Sequence, residues 1–260
     1  MLPLRLRPTA RAALAALLPL AAAGCLSGTE VTGTNPTNGN GTFLRFVQAV
    51  PDASTGVNVA VNGTQVIANF PLGAFAPQAQ GQYAGFSVTA PRLTFSDDAA
   101  GTTFYDQAQA NLAVNTPYTV ISYGRAGGAP AATVAVLADT AADSTRTTAL
   151  LRVFNAVDYV TAGSGTRVDV FVYPAGDARP AAPDVAALGY GAASAYVAEQ
   201  PAALRVDVFA TGTAGGGAAP LFSTTVTPAA GAVRTLVLLD PPAASGSAAT
   251  GSVLVLNDYR

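Results

Sequence analysis

Leu44-Arg45-Phe46-Val47-Gln48-Ala49-Val50 returns as Leu151-Arg152-Val153-Phe154-Asn155-Ala156-Val157. The interval is roughly one immunoglobulin-sized domain, on the order of 100 residues. Both words are short, apolar and rich in β-branched or aromatic residues, with a polar amide third from the end. Each reads as the opening strand of a β-domain, so the chain reads as a tandem of two related units.

Composition agrees. A chain of 260 residues, half hydrophobic and 11% charged, holds two domains of about 100–110 residues with cores of their own. Its 26 Gly and 18 Pro suit short strands joined by turns better than long helices. The absences exclude whole classes of chemistry. There is no His, no Trp and no Lys; all thirteen basic residues are Arg, and the one cysteine is Cys25. Nucleophilic triads and Cys–His dyads lack their imidazole, Schiff-base chemistry lacks its lysine, and zinc or copper sites built on imidazole or thiolate cannot be assembled. No internal disulfide can form. The sequence calls for no cofactor and no metal.

The N-terminus reads as an export signal ending in a lipid site. Arg5, Arg7 and Arg11 precede a 12-residue apolar run, Ala12–Ala23, too short for a membrane span of about 20 residues. Ala22-Ala23-Gly24 before Cys25 resembles the bacterial lipobox, although Ala22 stands where that pattern prefers Leu. The competing reading is an ordinary signal peptide beside an incidental cysteine. Residues 1–24 are thus expected to be a lipoprotein signal peptide and Cys25 the lipidated residue. Two or three acyl chains together hold a protein firmly on a bilayer. Leu26 stands where Asp retains lipoproteins at the inner membrane. Localisation on the outer membrane or cell surface is therefore expected if the host has two membranes.

Residues 25–42, rich in Gly, Asn and Thr, read as lipidated Cys plus flexible tether, spanning on the order of 20–25 Å. Asn40-Gly41-Thr42 fits a glycosylation pattern but reads as a turn. Without residues 1–24 the chain has ten Arg against fifteen Asp and Glu, which argues against nucleic acid as a partner.

The first unit, residues 43–143, is expected to be a β-sandwich. Pro51-Asp52-Ala53-Ser54 is a turn, and Val57–Val61 alternates into Asn62-Gly63, the strongest short hairpin signal. A two-residue loop there pairs Val61 with Thr64 and Val59 with Val66. Further strands are expected at Tyr83–Ala90, Arg92–Ser96, Thr103–Ala108, Tyr118–Tyr123 and Thr133–Ala138. Asp97-Asp98, with Asp106 nearby, is either a carboxylate pair for glycosidic or calcium chemistry or a solvated turn. Adjacent residues of an extended chain point opposite ways, so the turn is the better reading.

After the short polar join 143–147, the second unit, residues 149–260, repeats the pattern. Arg167-Val168-Asp169-Val170-Phe171-Val172-Tyr173 matches the Val57–Gly63 arm, and Arg205-Val206-Asp207-Val208-Phe209 repeats it. Val alternating with Arg and Asp predicts one core face and one solvent face, with Arg and Asp pairing across the latter for about 0.2–1 kcal/mol each. Closing strands are expected at Ser223–Thr227, Arg234–Asp240 and Ser252–Asn257.

These residues resemble the bacterial surface family of the domain of unknown function 4397. The likeness lies in Leu44–Val50, Pro51-Asp52-Ala53, Val57–Gly63, Tyr83–Val88 and Pro91–Phe95. A second copy matches at Leu151–Val157, Val168–Val172, Tyr196 and Pro201–Val206, with Asp158-Tyr159-Val160 replacing the Pro-Asp-Ala turn. The resemblance covers nearly all of 43–260 and implies no activity. The fold expected is all-β: two tandem immunoglobulin-like sandwiches. The function expected is a lipid-anchored, non-catalytic envelope module for structure, adhesion or partner binding, with the membrane and an envelope protein or glycan as partners. The alternatives are a glycan-binding module, which needs an aromatic platform, and a carboxylate-only glycoside hydrolase, which needs two carboxylates about 5–10 Å apart.

Overall fold

The structure, a computed structural model, describes residues 41–258 apart from 54, 111, 159–166, 216 and 242–250. The signal peptide, Cys25 and all but the last two residues of the tether lie outside the described residues.

Among those residues there is no helix, and the strands form four sheets. The first unit contributes β1 (Thr42–Ala49), β2 (Val57–Val61), β3 (Thr64–Phe70), β4 (Phe75–Ala76), β5 (Ala84–Phe86), β6 (Arg92–Asp97), β7 (Thr103–Ala108), β8 (Pro117–Tyr123) and β9 (Thr133–Ala138). The second contributes β10 (Ala149–Ala156), β11 (Val168–Pro174), β12 (Val185–Leu188), β13 (Val197–Glu199), β14 (Leu204–Ala210), β15 (Phe222–Val226), β16 (Val233–Leu239) and β17 (Ser252–Asn257). Each unit stacks an outer sheet, β3-β2-β6-β7 or β12-β11-β14-β15, on an inner one, β4-β1-β8-β9 with β5 beside β1, or β13-β10-β16-β17. The fold is the expected all-β sandwich architecture, built twice.

The two repeated words are the centre of the inner sheets. β1 lies parallel to β8 and β10 parallel to β16. Every residue of β1 is buried, because both faces are covered. Leu44 and Phe46 meet Val57, Val59, Leu93 and Phe95 in the first unit's own core. Leu151 and Val153 do the same with Val168, Val206 and Leu236 in the second. On the opposite face Val47, Ala49 and Ile121 pack against Phe154, Ala156, Val237 and Leu239 of the other unit. The molecule is therefore four sheets deep, with the inner sheets back to back.

The amide of each word finishes its strand. Gln48 accepts from the Val50 amide at 2.6 Å and Asn155 from the Val157 amide at 3.0 Å. The Asn62-Gly63 turn has φ values of +51° and +77°, as a type I′ hairpin requires. Its register departs from expectation after two residues. Val61 opposes Thr64, but a bulge makes Val59 face Ile67 instead of Val66, which puts the larger Ile67 into the core. The strand expected over Tyr83–Ala90 shortens to β5, and Tyr83 turns inward with no exposure.

A second correction concerns the outer face of the second unit. β11 and β14 do pair, with Phe171 opposite Asp207 and Tyr173 opposite Arg205. That face is not left to solvent: Phe171, Tyr173, Phe209 and Asp207 are all buried. Loop residue Arg179 lies over both Phe rings, 5.2 and 4.4 Å from their centroids, and donates to the Ala214 carbonyl. The expected cross-strand ion pair runs along one strand, Arg205 to Asp207 at 2.8 Å, and the Tyr173 hydroxyl crosses over to the same carboxylate at 2.6 Å.

Candidate functional site

The strongest concentration of polar chemistry lies between the units. Arg45 on β1 and Arg152 on β10 are the second residue of each repeated word, on the face opposite the Leu that precedes them. Parallel register sets Arg45 beside Thr119 and Arg152 beside Thr235. The residues that follow β9 and β17 are Asp139 and Asp258. The side chains of Arg45, Asp139 and Asp258 are fully buried, and that of Arg152 is 6% exposed.

The contacts are reciprocal. Arg45 donates to Asp258 at 2.6 Å and to the Asn257 carbonyl at 2.5 Å. Arg152 donates to Asp139 at 2.5 Å and to the Ala138 carbonyl at 2.8 Å. Each arginine is thus closest to the aspartate of the other unit; the contacts within a unit are longer, 3.4 Å for Arg45–Asp139 and 3.9 Å for Arg152–Asp258. Each arginine also donates to the threonine beside it, at 2.6 and 2.8 Å, and each threonine donates to its own aspartate, at 2.5 and 2.8 Å. A tyrosine closes each side: Tyr83 donates to Asp139 at 2.7 Å and Tyr196 to Asp258 at 3.0 Å. The rings lie against Arg45 and Arg152, with the guanidinium carbons 5.1 and 4.8 Å from the centroids.

Exchange the two units and each of these contacts maps onto a counterpart. Such a face is isologous, the arrangement found at two-fold interfaces. The charges match in number, two arginines against two aspartates, and a buried polar network is favourable only when satisfied in this way. Burial opposes the charge on Arg45, but Tyr83, Asp139 and Asp258 outweigh it and raise its pKa. Burial, helped by Asp258, pushes the Asp139 carboxyl upward against the pull of Arg45, Arg152 and Thr119. Burial raises Tyr83 and Tyr196 above an ordinary phenol, so both hydroxyls keep their protons and donate. This is a closed joint, with its donors and acceptors turned on one another.

The joint fixes the polarity of the molecule. Arg45 touches the residues that end β9 and β17, so the start of β1, the 140–148 join and the end of β17 lie at one end. The join is itself fastened, Asp143 donating to the Gly231 carbonyl at 3.1 Å and Gly231 to Thr148 at 3.0 Å. At the opposite end Tyr123 meets Phe154 edge-on, with ring centroids 5.4 Å apart. There Arg125 also reaches across to Asp158 and Asp240 at 3.4 and 3.7 Å.

The acids singled out from the sequence do not come together. Asp97 is buried and accepts from the Ala100 amide at 2.8 Å. Asp98 accepts from Asn58 at 2.8 Å and from Thr55 at 3.1 Å. Asp106, on β7, pairs with Arg92 at 2.6 Å, and Arg92 holds its carboxyl below the usual range. Asp52 of the Pro-Asp-Ala turn binds the amides of Ala126 and Gly127 at 2.8 and 3.2 Å, tying the β1–β2 and β8–β9 loops together. Among the described residues no three acids or thiols gather to hold a metal ion.

A hollow of about 440 Å³ opens on the outer face of the second unit, lined among others by Asp169, Phe171, Arg179 and Pro183. Asp169 is fully engaged there, by the amides of Ala187 and Gly212 at 2.8 and 3.0 Å and by Thr211 at 3.2 Å.

The Arg–Thr–Asp–Tyr joint is not evident from spacing alone. Its one sequence signal is an arginine at the same place in both apolar words.

A family model matches residues 42–162, a stretch that begins with β1 and runs past the end of β10. Residues 42–162 carry a domain of unknown function, DUF4397. The match is one copy and takes in all four residues of the first unit's side of the joint: Arg45 and Thr119 on strands β1 and β8, Tyr83 just before β5 and Asp139 just after β9. No curated protein matches the chain.

Proposed function

We propose that the chain is a lipid-anchored protein of the cell envelope, held by Cys25. In this reading its second unit is a further DUF4397-like copy, and the pair forms a non-catalytic body for structure, adhesion or partner binding. The observation that carries the reading is the closed joint. It fuses two sandwiches side by side and gathers β1, the join and the end of β17 at one end. A tether running from β1 to Cys25 puts that end toward the bilayer and the loops around Arg125 and Asp52 away from it. The buried charges serve the joint, which leaves them no substrate to act on. The glycoside hydrolase reading finds the buried carboxylates Asp139 and Asp258 enclosed there with two arginines. The glycan reading has one observation in its favour, the hollow beside Phe171 and Arg179.

The test is direct. In a bacterial host, mass spectrometry of the detergent-extracted protein is expected to find a diacyl or triacyl adduct on Cys25 as the first residue. Cys25→Ser is expected to move the protein from the membrane fraction to the soluble one. An unmodified, soluble wild-type chain overturns the anchor.

A further inference from the structure

The exchange symmetry of the joint reaches past the polar cluster. Val47 opposes Ile121 on the first unit's inner face, as Phe154 opposes Val237 on the second. Ala135 and Leu254 take equal places beside them, and Tyr123 corresponds to Leu239, each opposite an alanine of the central strand. Even the glycines correspond. The amide of Gly73 donates to Gln48 at 2.9 Å and that of Gly191 to Asn155 at 2.7 Å, with φ values of +75° and +70°. Each faces the other unit's bulky residue at the loop end of the joint. A methyl group on Gly191 would lie 2.6 Å from Tyr123, and one on Gly73 would lie 3.4 Å from Leu239.

We infer that the inner face of the first unit is a homotypic docking face, complementary to a second copy of itself. Every element such a pair needs is already on the one unit. Arg45 and Asp139 would bond reciprocally, as Arg45 and Asp258 do here. Tyr123 would meet Gly73 of the other copy, which has the same backbone and no side chain. Volume balances over five positions: relative to the present joint, the pair gives up Phe154 for Val47 and Leu254 for Ala135, and gains Ile121 for Val237, Tyr123 for Leu239 and Phe75 for Ala193. In the intact chain the second unit, tethered by the 140–148 join, occupies this face through its high effective concentration.

Two experiments test the inference. In the first, a protease site is placed in the 140–148 join of the full chain, and two preparations with different tags on the first unit are cleaved in the native state and mixed. The first unit of one preparation is expected to capture the first unit of the other, and Arg45→Ala in both is expected to abolish that capture. Capture of second units alone from the other preparation overturns the inference. In the second experiment the uncut chain carries Phe154→Val, Ala193→Phe, Val237→Ile, Leu239→Tyr and Leu254→Ala, which gives the second unit the first unit's apolar face. One cooperative thermal transition is expected, lowered by less than about 10 °C, a change of a few kcal/mol for a chain of this size. Two separate transitions overturn the inference, and this second readout decides the matter if the cleaved units do not exchange.

Discussion

Arg45, Thr119, Asp139 and Tyr83 have one-for-one counterparts in Arg152, Thr235, Asp258 and Tyr196. The outer sheets of the same two units show no such correspondence. Where the first unit has Asn58 and Ser96 facing each other across β2 and β6, the second has Phe171, Asp207 and Phe209 on β11 and β14 under Arg179. The inner sheets must fit each other, so a change on one side demands an answer on the other. The outer faces of the outer sheets meet loops and water, so no second surface ties the residues of one to those of the other. Identity is kept at the polar centre of the joint, where each buried charge must be answered; the apolar positions around it differ and fit as complements, Tyr123 against Gly191 and Leu239 against Gly73.

The largest break in this comparison is expected at the joint. Arg45→Ala leaves Asp258 and Asp139 buried with one arginine between them, and should cost about 3–5 kcal/mol in chemical denaturation. The exposed control, Arg92→Ala, removes a solvent-screened ion pair and is expected to leave the denaturation midpoint almost unchanged. Equal losses for the two variants would mean that the joint contributes no more than a surface pair.

An intermediate effect is expected on the divergent side. Arg179→Ala uncovers Phe171 and Phe209 and removes two cation–ring contacts, worth about 1–2 kcal/mol together. It should also raise binding of a hydrophobic dye to the native protein. No stability loss and no added dye binding would return that face to the solvent-exposed reading.

The smallest effect concerns β13. Its Glu199 opposes Ala149 as Phe86 opposes Thr42; Phe86 stacks edge-on against Phe46 at 6.3 Å. Burial, then Asp184, raises the Glu199 carboxyl above its ordinary 4.5. The folded state thus holds this proton more tightly than the unfolded chain does. Ionised Glu199 therefore costs stability at neutral pH, and the cost is relieved as pH falls through its raised pKa. Glu199→Gln is expected to raise the midpoint of thermal unfolding slightly at pH 7 and to leave it unchanged below the ordinary carboxylate range. A rise that persists at low pH would assign the effect to packing.

Much of the sandwich was legible in the sequence because it rests on local chemistry. Asn62-Gly63 fixes a turn through backbone conformation, and the alternation of Val57, Val59 and Val61 fixes a face. The β2–β3 bulge was not legible, since Val66 and Ile67 are both good strand residues and only the space in the core chooses between them. The covered face of β11 and β14 escaped for a related reason. Alternating Val with Asp and Arg looks like solvent exposure until loops from elsewhere close over it. The joint was the least legible. Arg45 bonds partners 74, 94 and 213 positions away, and nothing local distinguishes it from a surface arginine except its place in an otherwise apolar word.

The parallel pairing of β1 with β8 bears on how the molecule answers force. A pull applied at Thr42, directed away from the far loops, loads β1 along its own axis. Seven register pairs with β8, from Phe43 to Ala49, then resist in shear and must yield together, where a hairpin peeled from its end would open one rung at a time. Under the anchoring proposed above, β1 is the first strand after the tether, and tension would reach the sandwich in shear.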